Sequence, residues 1–269
     1  MAEKKIKKAE TPVASAQTKP APEKGNATGY RIGAVAAWLF AIAFEVVAIL
    51  IAVGKLNLTF MSSTAQLIIA IVLDLALVIV GSLLWKKSNR IDPASEKNKV
   101  KFWLWNNMGV IVTVLAFVPF IVIALTNKNT DKKTKTIAVA VAAIALIIGA
   151  LVSYDWNPVS SEALQAAQNA LGDTEVYWTQ NGNSVHKYHI DPDCYHLKNA
   201  KSDTIYEGTV DQAFAGNATA LCKTCQKNHQ EIEGINNVDT GDGVKNVETE
   251  GVGIIDIDPD ETLASTEAE

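Results

Sequence analysis

The sequence predicts an α-helical integral membrane bundle of four transmembrane helices, followed by a small α+β domain built around a metal site. Three observations lead to this prediction: four long apolar runs, a group of cysteines and histidines behind them, and a change of charge along the chain. Residues 1–153 carry 18 Lys/Arg and 8 Asp/Glu, whereas residues 154–269 carry 6 Lys and 21 Asp/Glu. Because so acidic a region is repelled by nucleic-acid backbones, no nucleic-acid partner is expected.

The chain is predicted to consist of five segments. These are a basic, disordered N-terminus (1–30), a four-helix transmembrane region (31–154), a juxtamembrane helix or linker (155–174), a zinc-binding module (175–230) and an acidic, disordered tail (231–269). The first segment lacks any apolar period, and the last contains 12 acidic residues and a single lysine. Such compositions do not bury enough apolar surface to fold.

Four stretches of the chain are almost free of charge, namely residues 32–53, 67–85, 108–125 and 137–152. A bilayer core about 30 Å thick requires roughly 17–25 helical residues. The third run reaches this length when residues 103–107 are added, and the fourth when its polar flanks are included. Buried helices of a soluble protein are the alternative, which the Lys, Asn and Trp residues flanking the runs disfavour. A long polar segment precedes the first run, so we expect a retained helix rather than a signal peptide.

Flanking charge predicts how the helices are oriented. Residues 1–31 and 86–101 together contain 13 Lys/Arg, whereas the other side has 5, four of them in the 128–135 loop. The positive-inside rule therefore places both termini in the cytoplasm of a multi-pass plasma-membrane protein, although the 128–135 lysines oppose this locally. A four-helix arrangement also brings six aromatic residues to one interface: Tyr30, Trp85, Trp103, Trp105, Tyr154 and Trp156.

The region behind the last apolar run has the turn and cap signals of a small α+β domain. Its predicted elements are a short helix capped by Ser160 or Ser161 and ended by Gly172, a β-hairpin of residues 176–179 with 185–189, and a helix over Val210–Ala215. The Asn181-Gly182 pair between the two strands is a strong signal for a hairpin turn. Thr209 and Gly216 are a suitable cap and stop for the second helix.

Three cysteines and one histidine in this domain have the spacing of a metal site, His189-x4-Cys194 … Cys222-x2-Cys225. Thiolates and imidazole in such a pattern favour tetrahedral Zn²⁺, and four protein ligands leave no position open for catalysis. A domain of roughly 50 residues with few large apolar side chains is not expected to bury a sufficient core. A structural zinc ion would then supply the missing folding free energy.

Two alternatives to this ligand set remain at the level of sequence. His196 or His229 could replace His189 as the fourth ligand, because each lies a few residues from a cysteine. A Cys222–Cys225 disulfide would leave Cys194 as an odd cysteine and does not suit a reducing cytoplasm.

The run VYWTQNGNSVHKYHIDPDCYHL, followed by EGTVDQAFAGNATALCKTC, resembles small bacterial zinc modules of the form H-x3–4-C … C-x-x-C. It is similar to the metal-binding domain of the Ada DNA-repair protein. The resemblance covers about 50 residues and implies that His189, Cys194, Cys222 and Cys225 are the ligands. Ada-type domains use four cysteines, one of which accepts a methyl group. A histidine takes one position here, so the resemblance does not extend to methyl transfer.

Two carboxylates lie inside the apolar runs, Glu45 in the first and Asp74 in the second. An antiparallel pair of helices brings them to similar depth, where ionisable groups are costly and are candidates for function. No Lys, Arg or His lies within any of the four runs, so at least one of the acids is expected to be protonated. The functional interpretation is a proton or cation site. The structural interpretation is a pair hydrogen-bonded to each other or to a group such as Thr113.

Two functions therefore compete at this stage. One is a membrane protein that presents a structural zinc module to a protein partner. The other is a small ion- or proton-coupled transporter or sensor that uses Glu45 and Asp74 and is regulated by the module. An enzyme, such as a thiolate-based repair protein or a membrane-tethered nuclease, is not expected, because the sequence offers neither a catalytic acid cluster nor a Ser/His/Asp arrangement.

Overall fold

The computed structural model describes residues 17–21, 23, 25–57, 59–128, 130–182, 184–202 and 204–241. Its elements, in chain order, are β1 (Gln17–Pro20), α1 (Ala27–Ala52), α2 (Ser63–Ile91), α3 (Lys99–Asn106), α4 (Met108–Thr126), α5 (Lys132–Ser153), α6 (Ser161–Leu171), β2 (Val176–Trp178), β3 (Lys187–His189), α7 (Tyr195–Lys198), β4 (Thr204–Gly208), α8 (Val210–Ala215), β5 (Ala220–Leu221) and α9 (Lys223–Asn228), with a 3-10 turn at Ile235–Asn237. The four long helices form a bundle, and the remaining elements from α6 onward form a module at one end of it.

The four long helices α1, α2, α4 and α5 match the predicted apolar runs and are each long and apolar enough to cross a membrane. Polar side chains set their starts. Asn26, Ser62 and Asp131 each accept a hydrogen bond from a backbone amide in the first turn of α1, α2 and α5. Such caps satisfy amides that a helix leaves unpaired at its N-terminus.

The bundle packs around α2, which contacts α1, α4 and α5. Small residues line the helix–helix contacts, and those with the least exposure are Ala34, Ala41, Ala116, Ala142 and Ala138. Large apolar side chains point outward instead, and Leu39, Leu115 and Ile147 are each about 60% exposed. Small residues at the helix contacts and large apolar residues on the outer surface of the bundle are typical of helices that pack in lipid.

The third apolar run differs from its prediction. Residues 103–107 do not extend α4, because the helix is interrupted at Asn107. The residues before it form the separate helix α3. Asn107 donates its side-chain amide to the carbonyl of Trp103 and accepts from the backbone amide of Asp155. The side chain of Asn107 therefore joins this break to the end of α5.

Two of the six aromatic residues predicted to share an interface, Trp85 and Trp105, lie together at the end of the bundle that carries the module. Their rings are tilted with centroids 5.1 Å apart, and Trp38, which is not one of the six, lies 5.4 Å from Trp85. The guanidinium of Arg31 lies over the Trp105 ring and pairs with Asp92 at 2.8 Å. The start of α1, the end of α2 and the short helix α3 therefore meet at one end of the bundle.

The module contains a five-stranded sheet in the order β1-β4-β2-β3-β5. The predicted hairpin is confirmed, since β2 and β3 pair in antiparallel register with Trp178 opposite Tyr188. Strand β5 adds to β3 in parallel, which places Leu221 opposite Tyr188. This last pairing places the second strand of the hairpin beside the strand that directly precedes the C-x-x-C motif.

Both predicted disordered ends reach into folded structure. Residues 17–20 pair in parallel with β4, and α1 begins at Ala27, so a disordered segment up to residue 30 is wrong for this part. At the other end Ile235 and Val238 are buried against the module, so the mobile tail does not begin at residue 231. The rest of the two predicted segments, residues 1–16 and 242–269, lies outside the described residues.

The expectation of a module without a sufficient core is also wrong. Trp178, Tyr188 and Phe214 are at most 1% exposed and belong to one apolar cluster. Helix α6 supplies Leu164, Ala167 and Leu171 to the same cluster, so the segment predicted as a linker (155–174) is part of the module. Residues before 175 and after 230 both pack into this cluster. The core is therefore larger than the predicted 175–230 segment could form alone.

Candidate metal centre

Three elements position the four predicted ligands. His189 ends β3, Cys194 precedes the single turn of α7, and Cys222 and Cys225 lie at and within the start of α9. The parallel pairing of β3 with β5 brings two of them together, because the amide of Cys222 donates to the carbonyl of Tyr188 at 2.9 Å. His189 and Cys222 are therefore adjacent across the sheet, although 33 positions separate them in the sequence.

The donor atoms of the four side chains lie close enough to share one ion. All four fall within 4.8 Å of one another. The sulfurs of Cys194 and Cys222 are 3.9 Å apart, and the sulfur of Cys225 is 3.8 Å from Nδ1 of His189. A tetrahedral zinc site with Zn–S bonds of about 2.3 Å has sulfur–sulfur edges of about 3.8 Å. The geometry fits such an ion.

Burial separates this group from ordinary surface cysteines. Cys194 and Cys222 are 5% and 3% exposed, and Cys225 and His189 are fully buried. All three cysteines are free thiols rather than a disulfide and an odd cysteine. Nε2 of His189 is buried without a hydrogen-bond partner among the described residues. A buried ring and three buried sulfurs that face one another are the donor set that zinc prefers.

The three thiols do not ionise independently. A hydrogen bond from Cys225, helped by His189, lowers the pKa of the Cys222 thiol well below its ordinary value. The same bond requires the proton of Cys225, and together with burial it raises the pKa of that thiol. Burial also raises the pKa of Cys194. Holding three thiolates in so small a volume therefore requires a cation, whose charge offsets their repulsion.

The two alternative histidines lie elsewhere. Nε2 of His196 is 3.1 Å from the hydroxyl of Thr224 on the surface. Nδ1 of His229 is 3.3 Å from the carboxylate of Glu231. The structure therefore groups His189, and neither of the other two, with the cysteines.

The predicted carboxylate pair is brought together inside the bundle. Glu45 of α1 and Asp74 of α2 are 7% and 2% exposed and lie on helices that pack against each other. One oxygen of each is buried without a hydrogen-bond partner in the described part of the chain. Thr113, suggested as a partner, instead donates to the carbonyl of Gly109 and contacts Ser153. That structural interpretation is wrong for Thr113.

A polar junction between bundle and module was missed at the level of sequence. Arg90, near the end of α2, donates to the side chain of Asn217 at 2.5 Å and lies 3.6 Å from the buried carboxylate of Asp155. Asn217 has φ of +73°, in the left-handed region, and its amide also reaches Nδ1 of His186 at 3.1 Å. In the sequence, Arg90 is recognisable only as a positive charge flanking an apolar run. No local pattern indicates its partner Asn217, which lies 127 positions away.

A second contact at this junction involves Glu162 in the first turn of α6. Its carboxylate accepts from the hydroxyl of Ser95 at 2.5 Å and from the amide of Glu96 at 2.9 Å. These hydrogen bonds lower the pKa of Glu162 to about 2. Because the amide of Ser161 also donates to the carbonyl of Ala94, α6 is joined to the α2–α3 loop at three points.

A cavity of the described structure lies beside α9. Its volume is about 760 Å³, and its walls include Phe102, Val159, Lys223, Gln226 and Val238. None of the four metal ligands lines it. The cavity and the metal centre are therefore separate features of the module.

No protein-family model matches the chain, and no curated protein or solved structure matches it either. The resemblance to Ada-type modules therefore rests on the sequence spacing of the ligands alone.

Proposed function

We propose that this is an integral membrane protein that presents a structural zinc-binding module to a protein partner. The observation that carries the proposal is the burial of four mutually adjacent donors, His189, Cys194, Cys222 and Cys225, behind four helices of membrane-spanning length. A His/Cys₃ set is a common ligand set of structural zinc.

The centre supports a structural rather than a catalytic role for the metal. The four side chains would fill all four positions of a tetrahedral ion, and none of them is more than 5% exposed. A catalytic zinc ion keeps one position for water or substrate. The large cavity touches none of the ligands, so a substrate held there would not reach the ion. We therefore propose no enzymatic activity.

The surface beside the metal has features of a contact site. Tyr195, directly after the ligand Cys194, is 71% exposed on α7. Exposed aromatic side chains on rigid supports often dominate protein–protein contacts. Because Cys194 begins α7, a metal bound there would fix the position of Tyr195. The excess of acidic residues after residue 153 favours a partner with a basic surface.

Orientation follows from charge and from the contacts at the junction. β1, the α2–α3 loop and the module all lie at one end of the bundle, together with Arg31 and the six Lys/Arg of residues 86–101. The positive-inside rule then places this end in the cytoplasm of the plasma membrane. In a K132C variant, labelling by an impermeant thiol reagent from outside intact cells is the expected result, and its absence would reverse the orientation.

The function is tested on the full-length protein in cells and after purification. We expect about one zinc per chain by mass spectrometry and its loss in C222S, with T224A as the matched control between the two knuckle cysteines. A photo-reactive residue in place of Tyr195 should give one discrete crosslinked species, and the C222S change should abolish it. A zinc-free wild-type protein, or a crosslink that survives in C222S, would contradict the proposal.

A further inference from the structure

The inside of the bundle contains two acidic groups that the zinc module does not use. Glu45 and Asp74 lie on the packed helices α1 and α2, and each has a buried oxygen without a hydrogen-bond partner among the described residues. Their side chains are only 7% and 2% exposed. Unpaired polar atoms at this depth cost several kcal/mol each, so an unpaired carboxylate requires a positively charged companion.

The apolar runs that form the bundle supply no such companion. The four apolar runs contain no Lys, Arg or His. The residues one turn away on the same helix faces are Ala41 and Ala48 beside Glu45, and Ala70 and Val78 beside Asp74. All four are buried members of the apolar cluster of the bundle. The positive charge must therefore come from a bound cation.

The lining distinguishes a proton from a metal ion. Hard cations such as Mg²⁺ and Ca²⁺ require about six or more oxygen ligands. Alanine and valine side chains supply none, and the remaining polar contact of Glu45 is the backbone of Phe120. Two carboxyl groups and one backbone group are too few for a metal ion, but a proton needs only one oxygen atom to bind and one to share it.

We propose that Glu45 and Asp74 together form a proton-binding site in the interior of the bundle. The unpartnered oxygens are where the proton binds. The nearest buried polar side chains on the same face of α2 are Gln66 and Ser82. Each is eight residues from Asp74, about 12 Å along the helix, so the site is set apart from both ends. This proposal does not depend on the metal centre.

A carbodiimide tests the site, because it adds to a protonated carboxyl group and not to a carboxylate. In this addition the acid proton moves to one nitrogen of dicyclohexylcarbodiimide, and the carboxyl oxygen bonds to its central carbon. Rearrangement gives a stable N-acylurea, so the protein gains the mass of one whole reagent molecule. Full-length protein in lipid nanodiscs is treated at about pH 7, where exposed carboxyl groups are ionised.

We expect one adduct on the peptide that contains Glu45 or Asp74, reduced at least about tenfold in the E45Q/D74N double variant. The E23Q variant, which changes an exposed carboxyl group, should label like the wild type. Infrared spectroscopy of the unlabelled wild type provides a second measurement that requires neither reagent access nor a folded variant. A protonated-carboxyl carbonyl band at neutral pH that shifts in D₂O supports the site. Absence of both the adduct and this band would overturn it.

Discussion

Replacing Cys225 by serine separates the contribution of the metal from that of the apolar core. Cys225 is fully buried, with its sulfur 3.8 Å from Nδ1 of His189. Serine keeps the size of the side chain but is a poor zinc ligand. The variant should therefore lose the ion while leaving Phe214 and the rest of the apolar cluster packed. The module is expected to stay folded, but with less stability.

Linkage gives the size of the effect. An ion present at 100 times its dissociation constant stabilises the folded state by about 2.7 kcal/mol, and at 1,000 times by about 4.1 kcal/mol. Losing it should speed local opening of the module by about 100- to 1,000-fold. By comparison, F214A removes a side chain that is 1% exposed and should cost about 3–5 kcal/mol through the cavity it leaves.

Hydrogen exchange read by mass spectrometry measures both effects in the full-length protein. The amides of Leu221 and Cys222, which donate to Asp239 and Tyr188, report on the opening of the sheet next to the ligands. A chelator should bring wild-type exchange to the C225S rate and should leave C225S unchanged. F214A should speed exchange with or without chelator. The reasoning is refuted if C225S retains a full equivalent of zinc, or if the chelator does not change the exchange rate of the wild type.

Three further changes test the junction and the bundle. R90A removes the hydrogen bond to Asn217 and should cost about 2 kcal/mol, seen as about 30-fold faster exchange around residue 217 with the zinc content unchanged. The carboxylate of Glu162 has a folded pKa of about 2 against an ordinary 4.5, so its contribution to stability is complete above about pH 5 and declines as the pH falls from 4.5 toward 2. In the folded protein, the NMR signal of the Glu96 amide, which donates to Glu162, should titrate with a midpoint near pH 2, and E162Q should abolish this transition. G149A would place a methyl group 2.7 Å from Thr113 and should destabilise the bundle by about 1–3 kcal/mol in thermal unfolding, without loss of zinc.

Local patterns were sufficient for the parts of the fold that local forces decide. The apolar runs located the four long helices to within a few residues, because a membrane-length helix requires an uninterrupted apolar stretch. The turn at Asn181-Gly182 and the cap at Thr209 placed the hairpin and α8, since both signals act over a few residues. The spacing of the cysteines indicated one compact group, which the sheet assembles.

Long-range pairing explains what the sequence left undetermined. Nothing in residues 17–20 alternates as a strand should, and β1 forms because β4 offers it an edge. The break at Asn107 depends on an amide from Asp155, far along the chain. The core of the module includes α6 and Ile235, which lie outside the segment that the ligand spacing marked. Arg90 and Asn217 likewise become neighbours only in the folded chain.

X-ray absorption at the zinc edge of the purified full-length protein tests the central claim most directly. The account predicts one zinc ion bound by three sulfur atoms and one nitrogen atom, with Zn–S distances of about 2.3 Å. The C225S variant should lose this signal. A spectrum with only nitrogen and oxygen neighbours, or a wild-type protein that retains no zinc, would contradict the assignment of His189, Cys194, Cys222 and Cys225 as a metal centre.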